Sequence, residues 1–240
     1  MLALAISLAS GCPSLRPSVG PVELNGVRLE RLTPRNLPSG PRAEARPGDF
    51  MLENQRLRVV VAAVSPPPRA RAGVLVDATA LGWEDDRLTG LEPVIEIEGT
   101  RRELVTRAVE ADVARDVPVI VIVAETRDRR VKVTTRVALS PGARWVRLTS
   151  EIENRAPSPL RVRFGDRLRS YGQAAFVPGV GKVEDTREVV GAWFAHAGRK
   201  QSYALVFPER PATIQVQRLA MGGSEETAFG PALELPAGAL

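Results

Sequence analysis

From Phe50 onward, apolar and polar residues alternate with a period of two over most of the chain. Val131, Val133, Thr135, Val137 and Leu139 fall on one face of a strand. Val146, Leu148, Ser150 and Ile152 fall on one face of the next, with Arg147, Thr149 and Glu151 on the other. Between these two runs stand the turn formers Ser140, Pro141, Gly142 and Ala143. Phe50-Met51-Leu52, a polar Glu53-Asn54-Gln55 turn and residues 56–64 read as a strand pair whose second member is apolar enough to be buried on both faces. Residues 117–124 (VPVIVIVA) form another such strand, and Thr126-Arg127-Asp128-Arg129 turns it into the run beginning at Val131. Leu160, Val162 and Phe164 repeat the pattern, as do residues 203–207 and 214–219. The nearest approach to a helical stripe is 101–113, and its β-branched residues argue for strand. Strands at a spacing of roughly 10–15 residues, separated by Gly/Pro turns, predict an all-β fold, a large antiparallel β-sandwich.

The N-terminus follows a different rule. MLALAISLASGC carries no charge, and its apolar run ends in Ala9, Ser10 and Gly11 directly before Cys12, the only cysteine. Small residues let a chain lie extended in a peptidase cleft, and the thiol that follows can be alkylated. The segment resembles a bacterial lipoprotein signal, which implies cleavage after residue 11 and lipidation of Cys12. The implied partner is membrane lipid, held through an N-terminal acyl anchor. Pro13 stands where an acidic retention residue would be, so the expected location is the cell envelope, as an outer-membrane lipoprotein. Residues 12–47 hold seven of the 20 prolines and read as a Pro-rich tether. Within it, Asn25-Gly26 between alternating apolar residues is a strong hairpin signal. Residues 48–240 then form the β-sandwich domain, and the closing LELPAGAL reads as a strand and turn expected to continue.

Composition narrows the picture further. The formal charge is +5 and Lys132, Lys182 and Lys200 are the only lysines among 33 basic residues. Opposite charges alternate along the chain without a basic run interleaved with aromatics, which argues against nucleic acid as a partner. A single cysteine leaves stability to packing alone.

Several segments together carry a family resemblance. PGDFMLENQRLRVVVA, GVLVDA, WEDDRL, VTTRVALSPGARWVRLTSEIENRAPSPL, GDRLRSYGQAAFVPGVG and GAWFAHAGRKQSYALVFPE occur in this order between residues 47 and 209. They resemble the β-rich region that precedes the metallohydrolase domain in CehA/McbA-type PHP proteins and, at greater distance, galactose-mutarotase-like supersandwiches. The resemblance implies a β-sandwich accessory to a metallohydrolase domain. The metal site of that hydrolase needs several His and Asp ligands, beginning with a His-x-His pair. This chain holds one histidine, His196, so neither that site nor the paired histidines of a mutarotase are in it.

The remaining candidates are isolated residues. Asp77, Glu84, Asp85 and Asp86 are oxygen ligands of the kind Ca²⁺ takes, but their spacing does not match an EF-hand, and a solvated turn is the plainer reading. Trp83 beside them could stack on a sugar ring or belong to a sandwich rim. His196, in FAHAG, sits in an expected loop with no partner identifiable by spacing. Gly165-Asp166 and Asp49 read as turn formers, although Asp166 with Asp77 and Asp85 leaves open a carboxylate pair of the glycosidase type. Neither the PGVGK segment at 178–182 nor Gly222-Gly223-Ser224 fits a phosphate loop or a nucleophile elbow. The expectation is thus a lipid-anchored envelope protein with no catalytic residue, no metal and no cofactor. Its ligand-binding candidates are Asp77, Trp83, Asp85, Asp86, Asp166 and His196, and its expected partner is a glycan or a metallohydrolase domain. The alternative is a degenerate mutarotase- or lyase-like carbohydrate-active enzyme.

Overall fold

The computed structural model describes residues 21–38, 43–63, 72–82, 88–114, 117–170, 174–183, 185–197, 202–208, 210–218 and 224–238. Every regular element among them is a strand. In chain order these are β1 (Val22–Leu24), β2 (Val27–Arg31), β3 (Phe50–Glu53), β4 (Leu57–Val61), β5 (Leu75–Ala80), β6 (Leu88–Ile97) and β7 (Thr100–Arg102). Then come β8 (Leu104–Ala114), β9 (Val117–Thr126), β10 (Val131–Leu139), β11 (Val146–Asn154), β12 (Leu160–Ser170), β13 (Ala174–Val177) and β14 (Gly181–Val183). The chain closes with β15 (Arg187–Gly191), β16 (Trp193–Ala197), β17 (Ser202–Val206), β18 (Ala212–Arg218), β19 (Ser224–Phe229) and β20 (Leu233–Leu235).

These strands make three antiparallel sheets. The large sheet runs β1-β2-β3-β4-β5-β6-β12-β19-β18-β15, with β7 added beside β6 and β20 beside β12. Two four-stranded sheets, β11-β10-β9-β8 and β14-β13-β16-β17, form the opposing layer. One core joins all three. It takes Val27, Leu52, Val59, Leu168, Ile214 and Val216 from the large sheet, Ile120, Val137 and Leu139 from the first small sheet, and Val177 and Phe194 from the second. The expected all-β sandwich is therefore what the chain forms. The meander expected from 117 to 152 is present, with Val137 opposite Ile120 on one side and Leu148 on the other. Strict alternation along β10, buried at every odd residue, fixes this register, since a slip by one residue would turn all five core positions outward.

The large sheet begins well ahead of Gly48. Asn25 and Gly26 adopt φ of 51° and 74°, the left-handed pair that a two-residue hairpin needs. That hairpin is no loose ribbon: β2 pairs with β3, Leu29 opposite Leu52, and both Val27 and Leu29 are buried. Residues 43–49 also belong to the fold. Ala45 packs on the outer cluster of Leu32, Met51, Val60, Ala62, Val74 and Val76.

Four buried polar side chains hold the connections. Asp77 accepts the amides of Glu44 and Ala45 at 2.9 and 2.7 Å, and Asp49 those of Arg46 and Ala63, both at 2.8 Å. Asn54 and Asn154 each follow a glutamate at the end of a strand. Asn54 accepts the amides of Arg56 and Leu57 and donates to the Ser140 and Ala143 carbonyls. Asn154 accepts the amide of Ala156 and donates to the Ser158, Leu235 and Pro236 carbonyls. A buried backbone group without a partner is costly, so each of these side chains does for a turn what a ladder does for a strand.

Val137 is 1% exposed at the middle of the central meander. Val137→Asp is expected to lower stability by roughly 3 kcal/mol or more, by burying an unpaired charge. Urea denaturation monitored by tryptophan fluorescence reads this out, and a midpoint equal to wild type would contradict the register.

Candidate functional site

Two of the sequence candidates lie inside the sandwich. His196 is not in a loop: it stands in the middle of β16, fully buried, opposite Ala175 on β13 and Tyr203 on β17. Phe194 meets it edge-on, with ring centroids 6.2 Å apart. His196 Nε2 is hydrogen-bonded to Glu226 Oε2 of β19, a residue that is also fully buried. This one bond joins the second small sheet to the large sheet. Glu226 sits between Leu168 and Val216 on the core face, and its Oε1 has no hydrogen-bond partner among the described residues. An enclosed imidazole–carboxylate pair has the elements of an acid–base dyad, but at zero exposure it works as a polar cross-link between layers.

Asp166 is likewise no turn former. It lies mid-strand in β12, opposite Ala228 of β19 and Pro93 of β6. The Gly165-Asp166 dipeptide looks like a turn, but close approach between strands accounts for the glycine. A Cβ at 165 would lie 1.8 Å from the Ala228 carbonyl oxygen. Asp166 as a residue is half-buried, but its carboxyl is enclosed, and that burial pushes the pKa up to about 7. Its position along the strand has a pattern around it. Phe164 packs on a minor core cluster of Ile95, Ile97, Val131, Val133, Ala156, Leu160 and Val162, whereas Leu168 belongs to the main core. The facing sheet changes cluster at the same level. On β10, Val133 is in the minor cluster and Val137 in the main one, with Thr135 between them. On β11, Ile152 and Leu148 flank Ser150 in the same way, and Thr135 Oγ1 and Ser150 Oγ are 2.8 Å apart. A polar seam formed by Asp166 on one layer and Thr135–Ser150 on the other thus divides the interior.

The other candidates do not join these groups. Asp77 is a buried strand residue in β5 on the opposite face of the large sheet, not part of a solvated turn, and both its oxygens accept backbone amides. Trp83, Glu84, Asp85, Asp86 and Cys12 lie outside the described residues. Among the described residues, no three His, Cys, Asp or Glu side chains converge as metal ligands do.

Two surfaces remain. On the outer face of the large sheet, Arg163 pairs with Glu96, Arg167 with Glu92, and Arg169 with both Glu92 and Glu225, at 2.5–3.1 Å. Arg163 also lies over the Phe229 ring at 4.9 Å. A shallow groove over Glu96, Glu98, Gly99, Arg161 and Arg163 runs along this ladder. Because the arginines are matched locally, the positive net charge gathers into no basic patch here. The outer face of the second small sheet is different. Trp193 is 38% exposed and faces Val206, which is 63% exposed, across the β16–β17 pair. Ala195 and Ala204 extend the face, and Phe176 of β13, opposite Ala195, is a diagonal neighbour of Trp193. Sequence reading passed over Trp193 because the alternation of β16 does not reveal which side is covered. It passed over Glu226 because nothing local marks a pairing across 30 residues.

Two outcomes follow from the interior. His196→Leu should cost about 3–5 kcal/mol because Glu226 is left buried and unpaired, whereas the double variant His196→Leu/Glu226→Met should recover most of that loss. Thermal unfolding of the two variants distinguishes this from simple loss of packing, which would make the double variant the worse one. Asp166 has the opposite sign to a salt-bridged carboxylate. Its folded pKa lies above the ordinary aspartate value, so its contribution is intact below about pH 4, declines as pH rises to about 7, and stays lost above that. The slope is at most about 1.4 kcal/mol per pH unit. Asp166→Asn is expected to be more stable than wild type at alkaline pH and to flatten that decline, as read by denaturation midpoints across the pH range.

No family model and no curated protein match this chain. Among solved structures it is similar to a TPR-domain containing protein from Parabacteroides distasonis, at 10% identity and a TM-score of 0.59, over 90% of this chain and 54% of that one. It is also similar to the GH36 α-galactosidase AgaA from Geobacillus stearothermophilus, at 10% identity and a TM-score of 0.49, over 78% of this chain and 39% of that one. AgaB from the same organism aligns at 8% identity and a TM-score of 0.45, over 88% and 39%. This chain spans about half the length of the first of these proteins or less of the others, and what the first likeness establishes is the fold.

Proposed function

We propose that this chain is a non-catalytic β-sandwich module that binds glycan on the outer face of the β14-β13-β16-β17 sheet. In this reading it is held at the bacterial outer membrane through a lipidated Cys12 and serves as accessory to a metallohydrolase of the PHP type. The observation that carries the binding reading is Trp193. A large aromatic side chain left 38% open on a sheet face, beside Val206, Ala195, Ala204 and Phe176, is an apolar platform that the C–H face of a sugar ring can cover. The non-catalytic part is supported by the use already made of the candidate groups. His196 and Glu226 bind each other inside the core, and both oxygens of Asp77 accept backbone amides, those of Glu44 and Ala45. The Cys12 anchor rests on the sequence around it, where two or more acyl chains would give the stable attachment that one cannot.

Affinity electrophoresis of the full chain carrying Cys12→Ser, run through gels containing soluble envelope and plant polysaccharides, tests the reading. Retardation by at least one polymer is expected, with loss of about tenfold or more in affinity on Trp193→Ala and none on Trp145→Ala. The same Cys12→Ser change should move the protein from the membrane fraction to the soluble one. Sugar turnover or ring-opening that is abolished by Asp166→Asn would replace this reading with the degenerate mutarotase- or lyase-like enzyme.

A further inference from the structure

Every sheet with free edges risks pairing with another chain, and most edges of this protein carry the usual deterrents. At the ends of the large sheet, β1 has Glu23 and β15 has Arg187 and Glu188. In the first small sheet, β8 has Arg107, Glu110 and Asp112, and β11 has Arg147, Glu151 and Glu153. The added strands β7 and β20 carry Arg101 and Arg102, and Glu234. In the second small sheet, β14 is three residues long and has Lys182. Among the described residues β17 is the exception. SYALV is bonded to β16 on one side and ends the sheet on the other, with no charge, proline or glycine in its length.

We infer that two copies of this chain pair through β17, antiparallel about a two-fold axis at Ala204. The strand is self-complementary in that register. Ala204 meets Ala204 of the second copy, Ser202 meets Val206, and Tyr203 meets Leu205. On the outer face the small residues sit at the axis, so neither backbone is held away from the other. The exposed Val206, which faces Trp193 within its own sheet, gains a second neighbour in Ser202 of the other copy. On the inner face, Tyr203 and Leu205 are only partly buried against the core, and an aromatic–aliphatic cross-strand contact covers what remains open. Charge selects the same edge. Each copy carries a formal +5, and here two such molecules meet without like charges facing each other. The product is a continuous eight-stranded sheet, with Trp193 of each copy on one shared outer face. This assembly rests on the edge alone and does not depend on glycan binding.

The register gives a direct test. In the full chain carrying Cys12→Ser no thiol remains, so Ala204→Cys introduces the only one. Directly opposed residues of an antiparallel pair have Cα atoms about 4.5–5.5 Å apart, within reach of a disulfide. Mild oxidation is expected to convert Ala204→Cys to a covalent dimer, while Val190→Cys, on the charged edge strand β15, stays largely monomeric. Sedimentation equilibrium of the thiol-free chain should show a reversible dimer. Ala204→Lys or, should that variant fold poorly, Ser202→Lys is expected to weaken it about tenfold or more, with thermal stability unchanged at concentrations where wild type is monomeric. A thiol-free chain that stays monomeric at all concentrations overturns the proposal. So does a dimer that tolerates both lysines, or cross-linking no faster at 204 than at 190.

Discussion

The inner face of the large sheet is largely apolar from Val27 on β2 to Val216 on β18, and it has to be covered along its whole width. Strands stand about 4.8 Å apart, so ten in sequence span far more than a four-stranded sheet can shield. Two cover sheets are the response, and most of the unusual features trace back to that. A layer made of two pieces needs something to fix each piece to the base. For β14-β13-β16-β17, packing around Phe194 is supplemented by the bond from His196 to Glu226. Burying that pair costs desolvation on both sides and contributes direction in return, because a polar bond is satisfied in one arrangement while apolar contact tolerates many. The seam at Asp166, Thr135 and Ser150 is the complementary feature, a level of the interior where apolar packing is interrupted on both layers at once.

The tie points at the periphery share a logic. Asn54 and Asn154 each satisfy local amides with Oδ1 and reach a distant loop with Nδ2, one gripping the turn at Ser140–Ala143 and the other the segment at Leu235–Pro236. Asp49 and Asp77 bring residues 44–46 back over the outer cluster. Burial raises the Asp49 pKa while the amides of Ala63 and Arg46 oppose it. Here a carboxylate contributes to architecture through its hydrogen bonds to backbone. A chain with no disulfide among its described residues and a Pro-rich entry gains its fixed loops in this way.

The strands were legible because alternation is a local property: β9, β10, β11 and β12 can be read residue by residue, and so can the Asn25-Gly26 turn. What was not legible is where polar residues sit within a strand. Asp166 beside Gly165 resembles a turn, and only the close passage of β19 reveals why a glycine stands there. His196 in a run of Ala, Phe and Gly resembles a loop, because the bonding partner that stabilises it in a core lies 30 residues away. Asp77 resembles a ligand for the same reason, its amide donors coming from 32 and 33 residues earlier. Partnership across the fold, not composition, separates a structural carboxylate from a reactive one.

The order of the strands has a kinetic consequence. The chain builds β6, leaves the large sheet for β8 to β11, and returns with β12 directly beside β6, so Ile97 pairs with Val162. The excursion is itself a meander of neighbours joined by short turns, which forms from local contacts. Once it has formed, the two ends that must meet are already drawn together, and the entropy of closing the intervening loop falls on a folded insert instead of a free coil. Closure of the widest sheet is therefore set up by the smaller sheet that will later cover it.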